Sequence, residues 1–179
     1  TSILIAESGS TKTDWCRIEN GKRQYISSSG INPLLQTEDA IVSMLQSELP
    51  KGLLNKTYEA IYFYGAGVKD TTQKKMLQHV LRHFFSVKKT EVASDLLGSA
   101  RALCANEPGI VCILGTGSNT AYYTGKTLGF KTKSLGYLLG DEGSGNALGK
   151  KVLQYYLHGI FDSFLMQAFE EMYPDREAD

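Results

Sequence analysis

A chain of 179 residues is long enough for one ordinary domain, or for a small domain and part of another, with a hydrophobic core of its own. Nineteen basic residues balance nineteen acidic ones, so the summed field gives no reason to expect nucleic acid or an anionic membrane as partner, and any bound anion must be held by local groups. The longest apolar runs, such as Ile110 to Leu114, are strand-sized, so the chain reads as soluble and cytoplasmic, without a leader or a membrane span.

Ser2 to Ala6 reads as a strand, and after a Gly/Ser/Thr turn Thr13 to Ile18 reads as a second. Asn20-Gly21 is a strong hairpin signal leading to a third strand near Arg23 to Ser27. Thr37 is a helix N-cap, and Ile41, Met44, Leu45 and Leu49 lie on one helical face. Tyr58 to Tyr64 is a buried strand ending at Gly65-Ala66-Gly67, and Thr71 to Phe85 is an amphipathic helix with a basic outer face. Glu91 to Ala93 is a short strand, and Ser94-Asp95 opens a helix to about Cys104. Three antiparallel strands followed by alternating helices and strands predict a mixed-sheet α/β domain over residues 1–106.

The opening then repeats. Ile110 to Leu114 is an apolar strand, Gly115-Thr116-Gly117-Ser118 a small-residue turn, Asn119 to Tyr123 a strand and Gly125-Lys126 a hairpin turn. Aligning Gly9 with Gly117 superposes both strands and turns, a duplication of domain scale. After the glycine-rich stretch Gly136 to Gly145, helices are expected at about Asn146 to Phe161 and at Ser163 to Met172. The second copy, residues 107–179, is therefore expected to be incomplete, and the natural chain longer.

The two turns carry the chemistry. Backbone N–H groups and hydroxyls at Ser8, Gly9, Ser10 and Thr11, and at Gly115, Thr116 and Gly117, can cradle phosphate without a helix. Lys12 adds a cation, and Glu7 and Asp14 could hold or orient Mg²⁺, directly or through water. Either turn alone could equally be an ordinary tight turn; two in a duplicated frame suggest a triphosphate held from both sides. Gly115 to Thr120 lacks the Gly-Lys-Ser/Thr ending of a Walker loop and leads into a strand, which also argues against the dinucleotide fingerprint. Asp95, between a strand and a helix, is either a first-turn acid or a general base for a hydroxyl acceptor. Asp141 and Glu142, flanked by glycines, are either a solvated loop or sugar-hydroxyl ligands, and Asn32 before Pro33 is either a turn residue or a ligand. His79 and His83, one turn apart, are read as a solvated pair, and Cys16, Cys104 and Cys112 as buried thiols.

ESGSTKTDW (Glu7 to Trp15), SSGINP (Ser28 to Pro33), YGAG (Tyr64 to Gly67), SDLLGSARAL (Ser94 to Leu103), PGIVCILGTGSN (Pro108 to Asn119) and LGYLLGDEGSG (Leu135 to Gly145) occur in this order. With them the chain resembles the BadF-type ATPase and N-acetylglucosamine kinase group of the sugar kinase, actin and heat-shock ATPase superfamily. The resemblance implies a ribonuclease-H-like fold, ATP and Mg²⁺ as cofactors, and phosphorylation of N-acetylglucosamine or a related amino sugar at its 6-hydroxyl. It implies that Thr11 and Thr116 lie in phosphate hairpins and that Asp95 is the catalytic base. It further implies that Asn32, Ser118, Asn119 and Asp141 face the sugar, with Glu7 at the metal through water. Leu135 stands where related kinases place a Trp, and the adenosine motif is expected beyond this sequence. The expected partner is a small sugar, with a homodimer as the candidate assembly. Two other readings are an ATPase that activates a dehydratase-type electron-transfer partner and a non-catalytic sugar or nucleotide sensor.

Overall fold

A computed structural model describes residues 2–131 and 133–174. Strands β1 (Ser2–Ser8), β2 (Lys12–Glu19) and β3 (Lys22–Ser29) form an antiparallel meander. Its second turn places Asn20 and Gly21 at φ 50° and 75°, the pair of left-handed residues whose twist matches that of the flanking strands. Helices α1 (Glu38–Glu48) and α2 (Lys51–Leu54) lead to β4 (Thr57–Gly65), then α3 (Thr71–Phe84), β5 (Ser86–Ser94) and α4 (Asp95–Cys104). β4 runs parallel to β1 and β5 parallel to β4, giving one mixed sheet in the order β3-β2-β1-β4-β5. The remaining elements are β6 (Pro108–Leu114), β7 (Ser118–Thr124), β8 (Leu128–Lys131), α5 (Gly136–Leu139), α6 (Gly145–Leu157) and α7 (Ser163–Met172), with a second sheet ordered β6-β7-β8. This is the mixed α/β architecture expected from the pattern of elements.

Period-two alternation along the first sheet turns Leu4, Ala6, Trp15 and Phe63 to one side, where they join Ile41 and Leu45 of α1 and Leu77, Val80 and Leu81 of α3 in a buried core. Each of the Leu, Ile, Val and Phe side chains among them contributes about 1.5–3 kcal/mol on burial. Phe85 sits 5.9 Å from Trp15 and 6.0 Å from Tyr58, ring centre to ring centre. The polar ends of these aromatics are satisfied: Trp15 Nε1 donates to Ser28 Oγ at 2.9 Å and the Tyr58 hydroxyl to the Leu53 carbonyl at 2.8 Å. Tyr58→Phe would leave that buried carbonyl without its donor, so a loss of about 1–2 kcal/mol is expected in urea unfolding. An unchanged midpoint would show that the carbonyl finds another partner.

Most boundaries lie within two residues of the sequence reading, and the two larger differences are those of β5 and α6. β5 begins at Ser86, not near Glu91, because it is an edge strand with β4 as its one neighbour. Lys88 and Lys89 are exposed there, Lys88 pairing with Glu59 at 2.7 Å, and edge lysines disguise a strand in the sequence. α6 stops at Leu157, not Phe161, because the chain turns left-handed at Gly159, φ 63°.

The described chain forms two compact units, Thr1–Cys112 with Thr120–Lys131, and Ile113–Asn119 with Thr132–Asp179. This division does not follow a cut after residue 106. β7 from Thr120 onward and the whole of β8 belong to the first unit, where the Tyr123 hydroxyl donates to the Ala105 carbonyl at 3.1 Å and Gly125, φ 90°, approaches the Asn106 backbone. Among the described residues no helix is long and apolar enough to cross a membrane.

Candidate active site

The registers of the first sheet align Ser27, Asp14, Glu7, Tyr64 and Ala93 in one row across the strands, and Ser28, Thr13, Ser8, Gly65 and Ser94 in the next. The chain leaves β1, β4 and β5 just beyond that second row, at the carboxyl ends of parallel strands, where open α/β sheets offer their crevices. Gly9 to Thr11, Ala66-Gly67 and Asp95 are the first residues past the edge.

The turn after β1 is rigidly built. Gly9 N–H donates to the Lys12 carbonyl at 2.9 Å and Gly30 N–H to the Thr11 carbonyl at 3.0 Å. Ser8 Oγ lies 2.7 Å from Thr13 Oγ1 and accepts from Ile31 N–H at 2.8 Å, while Thr13 Oγ1 donates to the Ser29 carbonyl at 3.0 Å. Both hydroxyl residues are fully buried. Ser8 therefore departs from the expectation that its side chain faces phosphate: its hydroxyl is consumed in bracing the turn against the segment after β3. Ser10, Thr11 and Lys12 are exposed and Gly9 is half-buried. Lys12 Nζ lies 2.8 Å from Asp14 Oδ1, which also accepts from Ser27 Oγ at 2.7 Å. The hydrogen bond from Lys12, then that from Ser27, holds the Asp14 carboxyl below its ordinary range. Because this pair is exposed, it contributes little to stability, and Lys12 remains available to an anion.

Glu7 behaves oppositely. Desolvation first, then the nearby Asp95 and Asp14 carboxylates, raise its pKa above the ordinary 4.5, with Lys12 opposing. An acid whose folded-state pKa is raised favours folding most below its unfolded value, and that advantage is lost as pH rises through the folded value. Glu7→Gln is therefore expected to raise the melting temperature at pH 7 in metal-free buffer, with the gain shrinking toward pH 4. An equal shift at both pH values would show that charge is not the cause.

Asp95 is the first residue of α4. Ser94 is the N-cap, accepting from Leu97 N–H at 3.3 Å, and Asp95 Oδ1 accepts from its neighbour Leu96 N–H at 2.8 Å. Its carboxylate thus stands at the positive end of the helix and within the electrostatic reach of Glu7. Asn32 is buried and works as a turn residue, its Oδ1 accepting from Leu34 N–H at 3.1 Å; its Nδ2 reaches Ser10 Oγ at 3.4 Å. Gly67, φ 76°, lies against the same amide, leaving no room for a Cβ.

In the second unit, Gly115 N–H donates to the Gly117 carbonyl at 2.9 Å, closing the second turn. The first N–H groups of α6 grip this turn: Gly145 donates to the Gly115 carbonyl at 2.8 Å and Asn146 to the Thr116 carbonyl at 3.3 Å. Ser144 is buried and caps α6 through Ala147 N–H at 3.1 Å. Asp141 takes a left-handed backbone, φ 61°, and its carboxylate packs on Gly117, where an added Cβ would meet Oδ2 at 2.9 Å. The structure thus joins Gly115, Thr116, Gly117 and Asp141, with Ser118 and Asn119 half-buried on the same strand. Glu142 is exposed.

Other expectations resolve simply. His79 and His83 stack at 6.4 Å on the exposed face of α3, and His79 meets Glu38 at 3.5 Å. Among the described residues no three His, Cys, Asp or Glu side chains gather to hold a metal ion. Cys112, read as a buried thiol, is exposed, with Thr120 Oγ1 3.6 Å from its sulfur. Residues that the sequence did not single out are Tyr64, beside Glu7 in the sheet, and Gly30, whose backbone seats the first turn. Both lie in motifs that carry the family resemblance, YGAG and SSGINP.

No protein-family model matches the sequence, and no curated protein matches it. Among solved structures it is similar to the "Putative N-acetylglucosamine Kinase" of Porphyromonas gingivalis, at 42% identity and a TM-score of 0.91, covering 99% of this chain and 64% of that one. The corresponding protein of Chromobacterium violaceum matches at 19% identity and a TM-score of 0.68, over 96% of this chain and 63% of the other. The ethanolamine utilization protein EutJ of Carboxydothermus hydrogenoformans shares the fold at 13% identity and a TM-score of 0.52, over 99% and 73%. The chain thus spans less than two thirds of the length of the two kinase-named structures.

Proposed function

We propose that the chain belongs to the BadF-type ATPase and N-acetylglucosamine kinase group of the sugar kinase, actin and heat-shock ATPase superfamily, a reading that its 42% identity to the Porphyromonas gingivalis structure supports, and that the natural protein transfers the γ-phosphoryl group of ATP to the 6-hydroxyl of N-acetylglucosamine or a related amino sugar. The observation that carries the reading is the meeting, along one edge of the first sheet, of an exposed Ser-Thr-Lys turn with the mutually repelling carboxylates of Glu7 and Asp95. Such repulsion is relieved when a cation or a proton arrives. Phosphoryl transfer needs both, charge neutralisation at the phosphates and a base at the acceptor.

The residues fit Mg·ATP in a defined way. With no group of three metal-binding side chains among the described residues, a magnesium ion would keep most of its waters, with Glu7 touching that shell, as a small hard cation bound to phosphates prefers. When bound, Mg·ATP supplies the electrophilic phosphorus and neutralises charge on the phosphate oxygens. The backbone N–H groups at Ser10 and Thr11, with Lys12, would hold phosphate oxygens; the second turn offers a further backbone cradle through the N–H groups of Thr116 and Gly117, with Gly115 holding that turn closed. Asp95 accepts the proton of the sugar hydroxyl as the oxygen–phosphorus bond forms and the bond to the ADP oxygen breaks. Asn32 in the first unit, and Ser118, Asn119 and Asp141 in the second, carry the amide, hydroxyl and carboxylate groups proposed to recognise the sugar's hydroxyl and amide groups.

A coupled ADP-release screen of the intact natural protein against N-acetylglucosamine, N-acetylmannosamine, glucosamine and glucose tests the proposal. Sugar-dependent ADP release greatest with an amino sugar is expected. Saturable sugar binding without ADP release would replace the kinase with a sensor.

A further inference from the structure

The sheet edge that carries the Glu7 and Asp95 carboxylates is also where α4 is seated through its buried Leu96 and Ala100, and the Tyr64 ring is part of that seat. Gly98 lies three residues after Asp95 on α4, and a Cβ there would meet Tyr64 Cγ at 2.7 Å, its Cβ at 2.8 Å and Cδ1 at 3.0 Å. The helix backbone therefore rests directly on the Tyr64 ring, closer than any other residue type allows. One turn farther along, Arg101 closes over the same residue: its Nη1 donates to the Tyr64 hydroxyl at 2.9 Å and to Glu91 Oε1 at 2.5 Å, and its guanidinium carbon lies 5.8 Å from the ring centre. Tyr64 in turn is register partner to Glu7 on β1. One aromatic ring thus touches the helix that begins with Asp95 and neighbours the strand that presents Glu7.

We propose that Tyr64, clasped between Gly98 and Arg101, is a positioning residue that sets the height and rotation of α4 and so places the Asp95 carboxylate against the acceptor hydroxyl. The inference rests on Asp95 being the base. Lifting α4 by the width of a methyl group shifts Asp95 by an amount that matters to proton transfer, because displacements near 1 Å cost on the order of 10²-fold in rate. Substrate affinity depends on other groups and stays.

The measurement is kcat and KM for Mg·ATP and the best acceptor sugar, with melting temperature, on the intact natural protein carrying Gly98→Ala, Tyr64→Ala, Tyr64→Phe or Asp95→Asn. Alanine is a better helix former than glycine, so a Gly98 without a packing duty would give unchanged turnover and equal or greater stability. The proposal expects Gly98→Ala and Tyr64→Ala to lower kcat roughly 10- to 100-fold with KM values within about twofold. Tyr64→Phe, which keeps the ring, should hold kcat within about threefold. Wild-type kcat in folded Gly98→Ala and Tyr64→Ala, beside an inactive Asp95→Asn, overturns the positioning role alone, as does a loss that appears only in KM. An active Asp95→Asn removes the base assignment and this inference with it. If Gly98→Ala does not fold, the Tyr64 pair decides the matter by itself.

Discussion

Asp95→Asn is expected to reduce kcat for sugar phosphorylation by about 10³-fold while leaving KM for both substrates within a small factor, since a positioned general base contributes roughly 10²–10⁴-fold. Asparagine keeps the size of the side chain and can still accept from Leu96 N–H, as Asp95 Oδ1 does now, so α4 should remain folded. What is lost is the capacity to take a proton. The substitution also removes one of the charges that raise Glu7, so Glu7 should titrate closer to its ordinary value. Steady-state kinetics across pH measures the first effect, and carboxyl titration by NMR the second. A variant with wild-type kcat would move the base elsewhere.

Gly30→Ala is expected to damage phosphate handling without touching a ligand-facing side chain. A Cβ at Gly30 would fall 2.5 Å from both the carbonyl carbon and the oxygen of Ser10. Backbone atoms cannot rotate away, so the first turn must move as a body, breaking the bond from Gly30 N–H to the Thr11 carbonyl. Overpacking of this kind costs about 1–3 kcal/mol, and KM for ATP should rise by tenfold or more, as loss of roughly 1.4 kcal/mol of binding implies. Calorimetric ATP binding beside thermal unfolding separates the two consequences. Unchanged affinity would mean that the Ser10–Thr11 turn does not hold phosphate.

Much of this was legible in the sequence, and the failures have physical causes. The meander, the two small-residue turns and the mixed sheet follow from alternation, the Asn20-Gly21 signal and glycine placement, all local properties. The edge strand β5 was read short because Lys88 and Lys89 face solvent there, which erases the apolar run that marks an interior strand. Ser8 reads as a ligand from sequence because a serine in a glycine-rich turn is ordinarily exposed. Its burial depends on Ile31, which lies 23 residues away, and no pattern within the turn reveals that. The grouping of Gly117 with Asp141 likewise arises from the way α6 docks its first N–H groups onto the second turn. The role of Tyr64 is hidden for another reason, although the residue lies within YGAG. An aromatic at the end of a buried strand is ordinarily core, and its distinction comes from a glycine and an arginine on a helix more than thirty positions later.

The buried hydroxyl of Ser8 has a wider meaning for how such an enzyme would work. It fastens the phosphate turn to Ile31, next to Asn32, so the residues proposed for donor and acceptor form one stiff body within the first unit. The gap a phosphoryl group must cross is then partly set before either substrate arrives, by a serine that meets neither. Changing Ser8 would act as a change of ruler, altering the spacing between two substrates while leaving every contact to each of them in place.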